Sequence, residues 1–335
     1  MTSERLRFAI ETGGLVLPDD GPLALIGAPA DAPVDMLDTT RVTVIQTDAA
    51  AHDGWAARGL PTATAPEGRY AAAIVSLPRA RDAAEARLAL AAQHADMVVV
   101  DGAKTDGVEA ILKALKQRVT LDGQVSKAHG RCAWFHPGEA LADWVRPAQA
   151  QNAHGDWVAP GVFSADAPDE ASVALAGALP QLKGDVADLG AGWGWLSREI
   201  LRHPGVKTLH LVETEKTALD CARLNVTDPR AVFHWADATT WTPPQPKGTH
   251  APRRLDAVVM NPPFHAGRRA DPALGRAFIE AAARALAPHG QLWMVANRHL
   301  PYETALTALF RDVAEIGGDS RFKLLHAARV IRTRR

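Results

Sequence analysis

Cysteine is nearly absent from this sequence. The two that occur, Cys132 and Cys221, stand far apart, with no C-x-x-C pair and no cluster of Cys with His. That pattern argues against a disulfide framework and a structural zinc site, and it fits a reducing cytoplasm. No metal is expected. Long apolar runs are missing too. No stretch approaches the ~18 apolar residues that cross a bilayer. Met1 to Arg7 mix charges without an apolar core, so no signal peptide is expected either. An excess of one charge is the third absence. Lys and Arg number 37 against 38 Asp and Glu, a net charge of −1. The molecule as a whole does not attract a polyanion, so any nucleic-acid contact must use local basic patches.

What is present is enough chain for two ordinary domains, 335 residues of globular composition. In the first half, residues 23–26, 42–45, 71–75 and 97–100 are short β-type runs, Met97-Val98-Val99-Val100 being the clearest. Residues 79–93 and 108–118 have helical composition and spacing. Strands alternating with helices predict a parallel α/β layer fold. The turn after the first run, Gly27-Ala28-Pro29-Ala30-Asp31, has one glycine and a proline and makes a poor phosphate cradle. Lys127, His129, Arg131, Trp134 and Phe135 mix basic and aromatic residues, as an RNA-facing surface does. An edge strand with solvated charges has the same composition. Residues 148–160 are polar with Gly and Pro, which places a boundary between domains of residues 1–150 and 151–335.

The second half repeats the plan and adds chemistry. Val186-Ala187-Asp188-Leu189-Gly190-Ala191-Gly192-Trp193-Gly194 reads as a strand running into a glycine-rich turn. Glycine lets the backbone bend sharply and approach a ligand closely, although dinucleotide enzymes share the pattern. The next apolar run ends at Glu213, about 20 residues past the glycines, where an acid can accept from both hydroxyls of a ribose. A third run leads to Ala236-Asp237-Ala238, where Asp237 can accept from an adenine amino group; a plain turn Asp reads the same. Residues 276–286 and 301–310 read as helices, 291–296 as a fifth strand and 322–331 as a closing one.

A fourth run, Leu255 to Met260, is followed by Asn261-Pro262-Pro263-Phe264-His265. Asn-Pro and Pro-Pro are common turn dipeptides. The stretch also solves a chemical problem. An exocyclic amine on a nucleobase is a poor nucleophile because its lone pair is delocalised. Asn261 offers a side-chain carbonyl to accept from the amine, the prolines fix the direction of the Pro262 carbonyl, and Phe264 offers a face for stacking. Glycine turn, acid, Asp and Asn-Pro-Pro-Phe follow strands one to four in order, all at strand carboxyl ends, where doubly wound sheets bind ligands. Ser76-Leu77-Pro78 falls where Asn261-Pro262-Pro263 falls, so a duplication with one site removed explains both halves.

These residues resemble the class I S-adenosylmethionine-dependent methyltransferases that act on amino groups. More narrowly, Gly161-Val162-Phe163-Ser164, Asp169, Ser172, Asn261 to His265, Val295 to Tyr302 and Arg321-Phe322-Lys323 resemble the bacterial rRNA guanine-N2 methyltransferases, most nearly the small-subunit (16S) group. Ser126-Lys127 and Gly130-Arg131-Cys132 extend the likeness into the first half. The resemblance implies two tandem Rossmann-like domains, each a mostly parallel doubly wound seven-stranded sheet, the first degenerate and serving folding and RNA binding. It implies S-adenosylmethionine as methyl donor and rRNA, in the 30S subunit or an assembly intermediate, as partner of a monomeric enzyme. Asn261, Pro262 and Phe264 are then the catalytic residues. Phe163, Asp169, Asp188, Gly190, Gly192, Glu213, Asp237, Ala238 and Asn261 are then the cofactor site. A large-subunit rRNA enzyme, a DNA or protein-glutamine methyltransferase, and a non-catalytic RNA-binding assembly factor are the competing readings.

Overall fold

Parallel strands covered by helices on both faces must be apolar on both faces, and the short runs above are. The structure, a computed structural model, describes residues 2–245, 254–263, 265–266, 269–270 and 272–331. The chain divides into two compact units, Met1–Ala148 and Gln149–Arg335.

The first unit runs α1 (Thr2–Glu11), β1 (Leu23–Ile26), β2 (Val42–Ile45), α2 (Ala49–Ala57), β3 (Thr62–Ala63), β4 (Tyr70–Ser76), α3 (Arg81–His94), β5 (Ala95–Ala103), α4 (Val108–Leu115), β6 (Gly123–Lys127) and β7 (Gly130–Phe135). Its seven strands lie in the order β3-β2-β1-β4-β5-β7-β6. β7 runs antiparallel to both neighbours. Side chains alternate between two cores: Leu23 and Leu25 join Trp55 and Leu6 on one face, and Ala24 and Ile26 join Leu88 and Ile111 on the other. The basic and aromatic stretch is divided between two strands: Lys127 lies exposed at the end of the edge strand, while Arg131, Trp134 and Phe135 lie on β7, one strand in. β6 is the edge, and Cys132, Ala133, Trp134 and Phe135 of β7 are buried.

The second unit opens with a short ladder, β8 (Ala150–Gln151) and β9 (Trp157–Val158). It continues α5 (Glu170–Ala178), β10 (Lys183–Leu189), α6 (Trp195–Leu201), β11 (Gly205–Glu213), α7 (Lys216–Asn225), β12 (Ala231–Trp235) and β13 (Leu255–Met260). A second ladder of β14 (His265–Ala266) and β15 (Arg269–Ala270) follows, then α8 (Pro272–Ala285), β16 (Leu286–Asn297), α9 (Glu303–Leu309), β17 (Phe310–Gly318) and β18 (Phe322–Val330). The main sheet is ordered β12-β11-β10-β13-β16-β18-β17, with β18 antiparallel to its neighbours. Val258 and Met260 pack with Phe278 and Ile279 of α8, while Ala257 and Val259 pack with Ile200 of α6 and Leu175 of α5. The helix expected to reach Phe310 stops at Leu309, and Phe310 begins β17, a strand absent from the sequence reading.

Counted by position, both sheets are 3-2-1-4-5-7-6, and their registers superimpose residue on residue. Ile26 pairs with Ile45 and Val75 in the first. Leu189 pairs with Val212 in the second and, one step beyond the Asp188–Val259 pair, meets Met260. On this register Leu25 matches Asp188, Gly27 matches Gly190, Gln46 matches Glu213 and Ser76 matches Asn261. Carried across the fifth strands, Ala103 matches Asn297, and Gly130 matches Phe322.

Candidate active site

The glycine turn follows β10 because nothing but glycine adopts its backbone without strain. Gly190 and Gly192 have φ of 79° and 56°, in the left-handed region. A Cβ on Gly192 would meet nothing within 4 Å, and one on Gly190 only the Phe278 ring at 3.5 Å, so open space lies over the turn. Asn225 props it from below, its Nδ2 donating to the Trp193 carbonyl at 2.8 Å and to the Trp157 carbonyl at 2.7 Å. Trp193 is buried and donates Nε1 to the Phe163 carbonyl at 3.1 Å, so it packs beneath the turn. The Phe163 side chain is exposed.

Three acids stand where strands one to three end. Asp188, 1% exposed, accepts from the Ser197 hydroxyl through Oδ2 at 2.6 Å, while its Oδ1 has no partner among the described residues. Burial, opposed in part by the Ser197 bond, pushes its carboxyl up to about 7. Glu213 accepts from the Gly192 N–H at 2.8 Å and from the Glu215 N–H at 2.9 Å, which ties the end of β11 to the glycine turn. Burial raises its pKa as well, against those two bonds. Asp237 accepts through Oδ1 from the Thr239 N–H at 2.8 Å and its hydroxyl at 2.7 Å, a turn-forming arrangement that leaves Oδ2 without a bond among the described residues. Ala238 beside it is buried.

At the end of β13 the Asn261 amide is pinned. Its Nδ2 donates to Asp169 Oδ2 and to Ser172 Oγ, both at 2.9 Å. A carboxylate only accepts, so this contact fixes which end of the amide is nitrogen. Oδ1 therefore points away, without a partner among the described residues. Asp169 also caps α5, accepting from the Ser172 N–H at 2.8 Å. In the first unit the residue after Ser76, Leu77, donates its N–H to Asp101 on the next strand. Pro262 at the matching place has no N–H, so that rung cannot form and the chain leaves the sheet. Phe264 lies outside the described residues, as does the side chain of His265.

A cavity of about 480 Å³ opens here, lined by Ser164, Asp169, Asn261, Asn297, Arg321 and Phe322 among others. Arg321 is held by ion pairs to Asp319 and Glu170. The structure thus joins Asp169 to Asn261, and Glu213 to the glycine turn, across long stretches of chain. It leaves the Phe163 ring facing solvent. Ser197 and Asn225 carried no sequence signal, and Ser172 and Asn297 entered only as part of a resemblance, with no role attached.

The site fits an adenosylated cofactor with an amino-acid tail. Open space over two left-handed glycines admits close backbone approach, an unpartnered buried carboxyl oxygen awaits a donor, and Glu213 keeps lone pairs for hydroxyls. A model of the methyltransferase small domain matches residues 157–326, half of the chain. The ribosomal RNA small subunit methyltransferase C of Hahella chejuensis is 29% identical over 269 residues, 76% of each chain. Its namesake from Shewanella sp. strain MR-4 is 27% identical over the same share. Among solved structures, the T. thermophilus 16S rRNA N2 methyltransferase in complex with AdoMet and guanosine matches with a TM-score of 0.76. That match is 25% identical and covers 94% of this chain and 90% of the other.

Proposed function

The chain belongs to the methyltransferase small domain family, and from that premise we propose that it uses S-adenosylmethionine to methylate the N2 amine of a guanine in small-subunit (16S) rRNA. The observation that carries this reading is the Asn261 amide at the end of the fourth strand. Its nitrogen is committed to Asp169 and Ser172, its oxygen has no partner among the described residues, and a proline without an N–H follows. The relatives that match along three-quarters or more of the chain carry rRNA methyltransferase names.

The donor supplies a methyl carbon already electrophilic through its bond to a sulfonium. The chain's task is alignment, worth several kcal/mol in well-oriented reactions. Asn261 Oδ1 and the Pro262 carbonyl accept from the two N–H groups of guanine N2. That aims the lone pair and favours the positive charge that develops on nitrogen. Phe264 stacks on the base. An amide is no general base, so the proton leaves to water after transfer. Gly190, Gly192 and Asp188 receive the methionine end of the donor, Glu213 the ribose hydroxyls, and Asp237 with Ala238 the adenine. Asp169 acts through its hold on Asn261, and Phe163, which the resemblance assigns to the lining of the cofactor pocket, keeps its ring toward solvent. A guanine inside folded RNA must be unstacked to arrive. The first unit, residues 1–150, supports folding and RNA binding. The enzyme acts as a cytoplasmic monomer on the 30S subunit or an assembly intermediate, without a metal.

The test is a labelling experiment. Protein and methyl-labelled S-adenosylmethionine are incubated separately with unmodified 30S particles, 50S particles, free rRNA and DNA, and the labelled nucleoside is identified. N2-methylguanosine from small-subunit RNA is the expected product. Label in N6-methyladenosine or in protein overturns the reading.

A further inference from the structure

Asn297 is a polar residue of the cavity that no role yet claims. Its half-buried side chain has no hydrogen-bond partner among the described residues, although it lines the same cavity as Asn261. Beside it Arg321 is occupied by Asp319 and Glu170, and Asp169 by Asn261 and the start of α5. The first unit has no counterpart to this side chain. At the matching register the first unit has Ala103, as it has Leu25 for Asp188 and Ser76 for Asn261. A polar group at the end of the fifth strand is therefore part of what the two units do not share.

We propose that Asn297 reads the edge of the target base beside the reacting amine, its amide oxygen accepting from guanine N1–H and its amide nitrogen donating to O6. The proposal rests on the guanine-N2 reading above. Asn261 ends the fourth strand and Asn297 ends the fifth, and these strands are direct neighbours. Met260 pairs with Met294, so Asn297 lies one strand across from Asn261 and two residues further along. For strands about 4.8 Å apart with a rise of about 3.3 Å per residue that is roughly 8 Å, a gap that the edge of a guanine spans with one amide reaching in from each end. An amine held at Asn261 thus places N1–H and O6 before Asn297. A carboxamide matches that donor–acceptor pair with two bonds, one given and one accepted. Adenine with its amine at Asn261 brings a bare N1 and a C2–H to the same place, so one of the two bonds is lost. Phe322, paired across the sheet with Asn297, walls the same cavity.

The discriminating probe is 2-aminopurine, which keeps the N2 amine but has a bare N1 and a hydrogen in place of O6. Small-subunit particles are rebuilt with guanine or 2-aminopurine at the methylated position, and kcat/KM is compared for wild type and Asn297→Ala. The wild type is expected to prefer guanine by about tenfold to a hundredfold, the worth of one or two hydrogen bonds. Asn297→Ala loses most of its rate on guanine, changes little on 2-aminopurine, and brings the ratio near one. S-adenosylmethionine affinity, read by calorimetry, stays within a few-fold and reports that the variant is folded. A wild type without the preference, or an Asn297→Ala that retains it, overturns the proposal alone. Failure of the wild type to form N2-methylguanosine overturns the underlying reading with it. The wild-type ratio tests the proposal even if Asn297→Ala does not fold.

Discussion

At the end of the first strand in each unit a glycine donates its N–H to the second strand, Gly27 to Ile45 and Gly190 to Val212, both at 2.9 Å. Around these twin bonds the two units diverge. Beside Gly27 lies the guanidinium of Arg87, which donates to the Ser76 carbonyl at 2.8 Å and fills the crevice between the first and fourth strands. Over Gly190 there is open space, and the Asp188 carboxyl below has an oxygen without a partner among the described residues. Gln46, at the place of Glu213, turns its amide onto the Ala28 carbonyl at 2.9 Å. At this crevice the first unit fills the space with its own Arg87 and turns Gln46 inward, although the buried Ser76 hydroxyl has no partner among the described residues. The second unit leaves the space over its glycines open. Both keep the ion pair between the seventh strand and the helix after the fifth, Arg131 with Glu109 and Lys323 with Glu303. The apolar sheet faces maintain the fold, so a handful of strand-end positions is free to gain or lose chemistry.

The largest effect separates the matched pair Asn261 and Ser76. Asn261→Ala is expected to lower kcat by about a thousandfold, the upper range for one lost transition-state acceptor, with S-adenosylmethionine affinity changed only a few-fold. Ser76→Ala leaves turnover intact. Calorimetry beside a methyl-transfer assay checks both, and an equal fall in affinity and rate for Asn261→Ala removes Asn261 from the acceptor role.

Next in size is a feature of the first unit alone. Arg5 and Asp101 form a buried ion pair at 2.5 Å, each 2% exposed or less. Burial outweighs the arginine and pushes the Asp101 carboxyl up to about 6. Asp101→Ala strands the Arg5 charge and is expected to destabilise the chain by about 3–5 kcal/mol. Cofactor affinity of the folded protein is unchanged, because Asp188 and the glycine turn belong to the other unit. Denaturant titration with a parallel binding assay separates the two effects.

The smallest effect is a pH dependence. The Asp188 carboxyl lies near 7 in the folded protein, against an ordinary value of 3.8. Between about 4 and 7 the folded state keeps a proton that the unfolded chain releases, so this group lowers stability as pH rises through that window. Asp188→Asn removes the slope and is expected to raise the melting temperature of the ligand-free protein at pH 8 by a few degrees, while weakening S-adenosylmethionine binding. An unchanged melting profile between pH 5 and 8 sinks the assignment.

Much of the fold was legible because a strand covered on both faces reads as an unbroken apolar run, as in Val98-Val99-Val100 and Val258-Val259-Met260. β17 was not, because beyond Phe310 most of its residues are half-buried or exposed and α9 runs into it without a loop. The interior position of β7 was missed for a related reason. Its basic residue is neutralised by Glu109 on α4, which sequence spacing does not reveal. Of the site, the glycine turn and the Asn-Pro-Pro-Phe stretch were visible as local chemistry. Roles that depend on a partner elsewhere in the chain were not: the Asn225 prop under Trp193 and the Ser197 bond to Asp188 join separate elements.

The sequence by itself determined the doubly wound plan, the order of the strand-end motifs and the Asn-Pro-Pro stretch that ends the fourth strand. These rest on local patterns, namely apolar periodicity, glycine conformation and the missing N–H of proline. Only the tertiary structure decided the direction of the Asn261 amide, the open oxygen of Asp188 and the place of Asn297 in the cavity that Asn261 also lines. Each depends on groups brought together from distant parts of the chain. An amide with two nearly alike ends takes its orientation from its neighbours, and those neighbours, Asp169 and Ser172, arrive only when the sheet and α5 close around it.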